Sequence, residues 1–370
     1  MAQFARRARL RLDRLRRYER IVTKRESAAT DLSVSKAAIV NVSSATVVNV
    51  TTRGDLSRAL RPGLLASDAP FVTNRLFDRL DPVDIAEVER RIEASGEYEH
   101  LPWREGNDEG YRRFLLLSLG LWLGVPDVSA KTGLPAGNPP DEVHAMTRGP
   151  LAAGGGLYEA DMVVSALVSV GVNMNKLRRG LDFGCSSGRV VRVLAAAYAD
   201  GDWHACDPNG PAIEWAQASL PGIEFFVSGN EPPLPIGDGS LDLIYAISIW
   251  SHFEPQLGLR WFEEMHRILV PGGHLVLTTH GLASIDVLHA AGARSMEQSL
   301  EIKGALYSSG AWFAAEFGEQ GDWGVVNPNW GTAFLSPEWV LVNLCPRWRV
   351  LEFAPGRNQS NQDVYVLERV

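Results

Sequence analysis

Three observations predict an α/β fold for the second half of this sequence. Short apolar segments alternate with helical ones, the connections between them are brief, and a turn of small residues joins the first strand to the first helix. The turn is Gly184-Cys185-Ser186-Ser187-Gly188, directly after the strand Leu181-Asp182-Phe183. This alternation implies a Rossmann-like parallel sheet with right-handed crossovers and helices on both faces.

The elements of this half follow in order from the same pattern. Five strands are predicted over residues 180–183, 203–206, 223–227, 241–247 and 274–278. A helix over 190–198 follows the small-residue turn, and Ser336-Pro337-Glu338 predicts the capped start of another helix that ends at Leu344. Two last strands, over 347–353 and 362–368, are joined by a loop that contains Pro355-Gly356-Arg357-Asn358.

The first part of the chain predicts a mostly helical accessory region. Asp81-Pro82-Val83-Asp84 is typical of a helix start, with an N-cap, a proline at the first position and an acid in the first turn. A second, buried helix is predicted over 110–123, and the apolar run 114–125 is shorter than the roughly 20 residues that cross a bilayer. Two short β segments within 26–66 have no assigned role. We therefore divide the chain into residues 1–25, an accessory region 26–150 and an α/β domain 151–370.

Residues 1–25 differ sharply in charge from the rest of the chain. Nine Arg and one Lys stand against Asp13 and Glu19, which gives this segment a charge of +8 in a chain of net charge −8. Apolar residues recur at helical spacing, so a basic amphipathic helix is predicted. Three interpretations stay open: docking on the acidic body or on a second chain, contact with anionic membrane lipid, and a cleaved organelle transit peptide.

Composition narrows the class of protein. The acidic balance outside residues 1–25 argues against a general nucleic-acid partner. Cys185, Cys206 and Cys345 are few and widely spaced, which predicts buried free thiols in a reducing compartment rather than disulfides or a zinc site. We therefore expect a cytoplasmic enzyme, peripheral to the inner face of a membrane if residues 1–25 bind lipid.

The small-residue turn and the end of the second strand predict a nucleoside site. Such a turn lets the backbone approach a ligand and aims the free N–H groups of the next helix at polar atoms. Asp207 ends the second strand, 19 residues after Gly188, and a carboxylate there accepts hydrogen bonds from both ribose hydroxyls in dinucleotide folds. Ser186 stands where the dinucleotide fingerprint has its second glycine, so a nucleoside without phosphates fits better. The alternatives are a helix N-cap for Asp207 and simple turn chemistry for Ser186 and Ser187.

Four motifs in the same order resemble the class I S-adenosylmethionine (SAM)-dependent methyltransferases, whose first motif reads D-x-G-C-x-x-G. After that motif come Asp207-Pro208, the run from Leu234-Pro235 to Ile244, and the characteristic Leu269-Val270-Pro271-Gly272-Gly273-His274-Leu275. The resemblance covers roughly residues 160–370. It implies SAM as cofactor, a closing antiparallel hairpin and a seven-stranded sheet of order 3-2-1-4-5-7-6.

The resemblance also implies a role for each residue of the cofactor site. The first motif would shape the pocket for the methionine moiety, Asp207 would hold the ribose, and the end of the fourth strand would face the sulfonium. After the third strand an acid often lies near the adenine amine, and here either Asn230 or Glu231 would take that place. The predicted cofactor-binding residues are Asp182, Gly184, Cys185, Ser186, Gly188, Asp207, Asn230, Glu231, Ile247 and Ser248.

Two histidines follow the fourth and fifth strands and are the candidate catalytic residues. Methyl transfer to a hydroxyl also removes a proton, which requires a base or a metal. His280 and His252 lie on the expected active rim, with His280 favoured as the base, although either could instead cap a helix or pack beneath a lid. No cluster has metal-ligand spacing, so no metal is predicted, and a magnesium site formed by scattered acids stays open as the alternative.

The acceptor is predicted from an aromatic segment between the fifth strand and the last helix. Aromatic rings alternate there with Glu316, Glu319 and Asp322, as in carbohydrate sites, although aromatics at this density also form ordinary core. The turn sequence and the C-terminal strands also resemble methyltransferases that accompany enzymes of bacterial surface polysaccharides. We expect O-methylation of a sugar hydroxyl or glycan terminus. A small-molecule methyltransferase of secondary metabolism and a non-catalytic SAM-binding scaffold are the alternatives. The aromatic residues of the segment between the fifth strand and the last helix are Tyr307, Trp312, Phe313, Phe317, Trp323 and Trp330.

Overall fold

A computed structural model describes residues 70–98, 101, 103–104, 108–145, 156–316, 326–327 and 329–370, which all belong to one compact unit. The predicted basic helix 1–25 and the β segments within 26–66 lie outside these residues, as do Phe317, Glu319, Asp322 and Trp323. The domain boundaries drawn from the sequence stay a prediction.

A seven-stranded sheet forms the centre of the molecule. Its strands are β1 (Arg179–Phe183), β2 (Asp202–Asp207), β3 (Ile223–Val227), β4 (Leu241–Ala246), β5 (Leu269–Thr279), β8 (Trp348–Asn358) and β9 (Gln362–Arg369). Their order is β3-β2-β1-β4-β5-β9-β8, with the first five parallel and β9 antiparallel to both β5 and β8. Counted within this sheet alone the order is 3-2-1-4-5-7-6, so the predicted fold is confirmed.

Helices cover the sheet and precede it. The helices of the N-terminal part are α1 (Phe71–Phe77), α2 (Pro82–Ser95), α3 (Glu109–Trp122), α4 (Pro126–Thr132) and α5 (Leu157–Ser169). Those that follow are α6 (Val191–Ala197), α7 (Gly210–Ser219), α8 (Pro255–Ile268), α9 (Leu282–Ala290), α10 (Met296–Ser308) and α11 (Pro337–Leu344). The predicted helix starts are present, since Asp81 and Asp84 form a capping box on α2 and Ser336 caps α11.

Two strands extend several residues beyond a predicted end. β5 begins at Leu269 instead of residue 274, because the Pro-Gly-Gly segment stays within the strand. The pairing of β5 with β4 shifts register there, between Leu241 and Leu243 of β4. β8 runs on through the predicted loop, with a register shift between Ala354 and Asn358. Gly356 has φ of +62° there, and glycine adopts such a left-handed conformation without steric cost.

The segment between β5 and α11 holds elements that the sequence did not predict. α9 and α10 are followed by β6 (Ala311–Ala314) and β7 (Thr332–Leu335), which pair antiparallel in a separate two-stranded sheet. β7 also contacts the end of β5, through a bridge between Phe334 and His280. This insertion therefore lies against the end of the strand that carries one candidate catalytic residue.

The N-terminal helices share one hydrophobic core with the face of the sheet that α6 covers. A hydrogen-bonded carboxylate reinforces this packing. No side chain at the start of α1 caps the helix; instead Asp161 of α5 accepts from the backbone N–H groups of Val72 (2.6 Å) and Thr73 (3.2 Å) and from the Thr73 hydroxyl (2.5 Å). Asp161 is fully buried, so α1 and α5 are held together by apolar contact and by these hydrogen bonds, which are called the polar pin here.

Within the described residues no single helix is both long and apolar enough to cross a membrane. α3 and α4 reach that length and composition only as a pair, and this pair is bent by 115°. Cys185 and Cys206 are buried free thiols as expected, whereas Cys345 is exposed because it follows the end of α11.

Candidate active site

The small-residue turn between β1 and α6 is shaped by three left-handed residues. Gly184, Ser186 and Gly188 have φ of +83°, +50° and +76°. A Cβ on Gly184 would meet Ile249, with Cγ1 at 2.6 Å and Cδ1 nearer still, and one on Gly188 would lie 2.8 Å from Leu220. Glycine is therefore required at both ends of the turn for conformation and for space.

Asp182 lies beneath this turn and does not line the neighbouring cleft. Its carboxylate accepts from the backbone N–H of Val191 at 3.2 Å and is almost fully buried, as is the adjacent Cys185. Burial raises the pKa of Asp182 to about 7, although Tyr245 and Arg189 act in the opposite direction. The structure thus places Asp182 as the residue that ties the start of α6 to β1.

Asp207 lies at the end of β2 and faces the cleft. One carboxylate oxygen accepts from the Ser186 backbone N–H at 2.8 Å and the other from the Asn209 N–H at 2.9 Å, while burial raises the pKa of the group. The alternative of a helix N-cap is wrong, because Asn209 caps α7 through its bond from Ala212 (3.0 Å). Asp207 is instead joined to the turn through Ser186.

A cleft of about 370 Å³ opens beyond the carboxyl ends of β1 to β4. Of the two candidates after β3, Asn230 lines this cleft and donates from Nδ2 to the Val326 carbonyl at 3.2 Å. Glu231 does not line it and forms an ion pair with Arg260 at 2.9 Å. The lining residues are Phe183, Gly184, Asp207, Pro208, Ser228, Gly229, Asn230, Ile249, Phe253, Trp261, Asn327 and Trp330.

The end of β4 is held by a polar network centred on Gln362 of β9. Ser248 has φ of +63°, donates from its backbone N–H to Thr278 Oγ1 at 2.7 Å, and accepts at its hydroxyl from Gln362 Nε2 at 2.6 Å. The Thr278 hydroxyl donates to Gln362 Oε1 at 2.7 Å. Ile247, next to Ser248, packs instead against the core shared with the N-terminal helices. Sequence reasoning missed Gln362, since only the pairing of β5 with β9 brings it to this site.

The two candidate catalytic histidines are neighbours, with ring centroids 6.4 Å apart. His252 Nδ1 lies 2.9 Å from the Gly331 carbonyl and His280 Nδ1 lies 3.3 Å from the Ala333 carbonyl. Because a carbonyl only accepts, each Nδ1 carries a hydrogen and donates it to that carbonyl. Burial, reinforced by His252, lowers the pKa of His280 to about 3, and its Nε2 lies 3.4 Å from Gln362 Nε2.

The histidines are part of a row of five rings at the rim of β4 and β5. The successive centroid distances in the row Trp330, His252, His280, Phe334 and Trp312 are 6.2, 6.4, 5.0 and 5.8 Å. Trp330 also lines the cleft, so the row begins there and continues into the inserted strands β7 and β6.

Tyr307 and Phe313, the other two described rings of the aromatic segment, do not join this row. Tyr307 is exposed on α10, and Phe313 lies on β6. The Glu316 carboxylate accepts from Arg294 at 2.5 and 2.6 Å and from the Thr332 hydroxyl at 2.7 Å, so it is held by residues of the insertion itself. Among the described residues no group of three His, Cys, Asp or Glu side chains is arranged to hold a metal ion.

One further polar residue contacts the turn from the N-terminal part of the chain. His144 Nδ1 lies 3.1 Å from the Ser186 hydroxyl. Sequence reasoning missed it, because a lone histidine 42 positions before its partner carries no pattern.

Residues 181–273 match the family described as "Methyltransferase domain". The chain is 36% identical over 97 residues to a probable tRNA methyltransferase 9B of Homo sapiens, covering 26% of this chain and 20% of that protein. It is 28% identical over 122 residues to a malonyl-[acyl-carrier protein] O-methyltransferase of Methylococcus capsulatus, covering 30% and 41%. A SAM-dependent methyltransferase structure from Methanosarcina mazei aligns with 20% identity and a TM-score of 0.39, over 55% of this chain and 97% of that one.

The chain thus spans between a fifth and about two fifths of the length of these two curated relatives. The match falls on the turn, the cleft and strands β1 to β5, where the sequence resemblance was found. The matched part of the chain is therefore a methyltransferase domain whose cofactor is SAM.

Proposed function

We propose that this protein transfers the methyl group of SAM to a hydroxyl oxygen, with a sugar hydroxyl or a glycan terminus as the acceptor class. The observation that supports a SAM site, and with it methyl transfer, is the Asp207 carboxylate in the cleft. It is held between the turn and the start of α7. The row of rings that begins at Trp330 supports the choice of acceptor.

The cleft fits the nucleoside part of SAM. Asp207 would accept hydrogen bonds from the ribose hydroxyls, and Phe183 and Ile249 provide apolar walls for the adenine. Because Asn230 uses its Nδ2 on the Val326 carbonyl, its Oδ1 is the atom that would accept from the adenine amine. The left-handed turn at Gly184 packs directly against Ile249, and the amino-acid part of SAM would lie along this turn.

The chain's own residues account for positioning and for proton removal. Methyl transfer is an in-line displacement, so the Ser248 network that fixes the end of β4 would hold the acceptor side in place. His252 is the better base in this geometry, because a base with a pKa of about 3, as for His280, takes a proton poorly near neutral pH. We assign His280, bonded to Ala333 and facing Gln362, the role of orienting its neighbour.

The proposed acceptor class is argued from the aromatic side chains beside the cleft. It is not argued from the relatives, whose names include tRNA and malonyl-acyl carrier protein. Trp330 and Phe253 stack at a centroid distance of 6.1 Å with an interplanar angle of 27° beside the cleft. Such rings pack against the C–H faces of a sugar, while a neutral imidazole accepts from its hydroxyl. The net charge of −8 disfavours a polyanionic acceptor such as tRNA.

Cofactor binding is tested by calorimetry with S-adenosylhomocysteine (SAH). Asp207→Ala should weaken SAH binding by about 1.5–3 kcal/mol, because charge-assisted bonds to the ribose are lost. Asp202→Ala is the matched control, since that exposed carboxylate lies at the opposite end of the same strand. Equal SAH affinity in the wild type and in a folded Asp207→Ala variant would overturn the ribose assignment.

The acceptor is tested by incubation with methyl-labelled SAM and panels of nucleotide sugars, glycans, phenols and tRNA. Label in a sugar supports the proposal, whereas label only in phenols or other small molecules supports the secondary-metabolism alternative. SAH binding without methyl transfer to any panel member supports a SAM-binding scaffold.

A further inference from the structure

The segment after α4, residues 133–145, is called the strap here because it runs from the N-terminal helices to the turn. Leu134 is fully buried, and its carbonyl accepts from the Ser129 hydroxyl at 2.7 Å. Arg192 of α6 donates from Nη1 to the Gly137 carbonyl at 2.6 Å and to the Pro135 carbonyl at 3.3 Å. The strap is therefore fixed to the helix that directly follows the turn.

The strap brings His144 to the middle of the turn. The imidazole Nδ1 lies 3.1 Å from the Ser186 hydroxyl, while the backbone N–H of Ser186 donates to Asp207 at 2.8 Å. A single buried residue in the left-handed conformation thus joins the ribose-binding carboxylate to an imidazole. In the proposed binding mode the amino-acid part of the cofactor lies along this same turn, so His144 borders that part and not the adenine.

Negative charge beside the turn would disfavour a carboxylate ligand there. Asp182 and Asp207 both lie next to the turn, and their carboxylates would repel the α-carboxylate of SAM when ionised. The two nearby arginines are already engaged, since Arg189 forms an ion pair with Glu159 at 2.8 Å and Arg192 holds the strap carbonyls. His144 is a side chain in contact with the turn that can supply a positive charge there.

We propose that His144 belongs to the SAM site and binds the α-carboxylate of the methionine moiety, together with the Ser186 hydroxyl. The inference rests on the proposed function, because it takes the cleft as the nucleoside site. It means that the N-terminal part of the chain completes the cofactor pocket, and that this end of the pocket recognises the amino-acid tail.

A pair of ligands separates this role from a structural one. SAH carries the α-carboxylate, whereas 5′-methylthioadenosine has the same nucleoside and thioether without the amino-acid tail. His144→Ala should weaken SAH binding about 10- to 100-fold and leave 5′-methylthioadenosine binding within about twofold, as measured by calorimetry. His144→Gln keeps a hydrogen bond to Ser186 but no charge, so its SAH affinity should lie between those of the wild type and His144→Ala.

The matched control is Glu142→Ala, an exposed residue of the same strap, which should bind both ligands as the wild type does. Equal loss of both ligands in His144→Ala would overturn the proposal and assign His144 to the folding of the turn. Unchanged SAH binding in His144→Ala would overturn it as well. Failure of the wild type to bind either ligand would instead contradict the proposed function, so the two failures are distinguishable.

Discussion

Gly184→Ala tests whether the turn needs glycine for both conformation and space. A left-handed backbone costs a non-glycine residue about 1–2 kcal/mol, and φ at this position is +83°. The new Cβ would also lie 2.6 Å from Ile249 Cγ1, and overpacking of this kind costs about 1–3 kcal/mol. We therefore expect a loss of about 2–5 kcal/mol in the free energy of unfolding, measured by urea denaturation. Because Ile249 lines the cleft, its displacement should also weaken SAH binding.

A second substitution separates the two contributions to the cost of Gly184→Ala. In Gly184→Ala/Ile249→Ala the nearest atom of residue 249 would be Cβ, at 3.9 Å, which is ordinary van der Waals distance. The double variant should therefore recover the overpacking part, while the cost of the left-handed φ remains. Ile249→Ala alone is the control for the lost apolar contact. A Gly184→Ala protein as stable as the wild type, with full SAH affinity, would refute the reasoning about this turn.

Three further predictions concern proton removal, buried charge and the basic segment. With an identified acceptor and saturating SAM, His252→Ala should lower the single-turnover rate by roughly 10²–10⁴-fold and His280→Ala by less, with near-normal rates in both contradicting imidazole base catalysis. Asp363 of β9 is buried, and burial raises its pKa to about 7. Because the carboxyl has a lower pKa in the unfolded chain, the stability that this group contributes is present below about pH 4 and is lost as the pH rises to about 7. Asp363→Asn should therefore gain stability relative to the wild type between about pH 5 and pH 8 in urea titrations, and a constant difference would argue against the shift. Deletion of residues 1–25 should leave SAH affinity unchanged while altering self-association or binding to anionic vesicles, and loss of SAH binding in a folded protein would place the segment at the active site.

The sheet could be predicted from the sequence because strand, turn and helix signals recur there at short range. The bounds of β3 agree with the prediction at both ends, and those of β1 and β2 agree within one residue, since apolar runs and turn residues delimit each strand. Glycine and proline predict strand ends at 271–273 and 355–357, whereas irregular pairing keeps both segments inside long strands. The elements of the insertion after β5 were missed, because β6 and β7 have only 4 residues each and the apolar residues of α9 and α10 show little helical periodicity.

The candidate site was predictable where a residue lies next to its motif. Gly184 and Asp207 are placed at the cleft by the strands that they end, so local sequence was sufficient. Gln362 and His144 come from elements that are distant in the chain, and no short-range pattern identifies them. The low pKa of His280 depends on its burial, to which Phe334 of the insertion contributes, and such burial cannot be inferred from the position of the histidine after a strand.

The polar pin at Asp161 has a consequence for how this chain was assembled in evolution. A methyltransferase core that had gained the N-terminal helices by a recent gene fusion would not be expected to carry a fully buried carboxylate whose partners are Val72 and Thr73. Exchange of these helices for an unrelated segment would leave the Asp161 carboxylate in an apolar interior without these hydrogen-bond donors. The resulting loss of stability selects against recombination at this junction. Two fragments separated within residues 146–155 should accordingly fold poorly alone and restore each other by complementation. We expect relatives that lack α1 to have an uncharged residue at the position of Asp161.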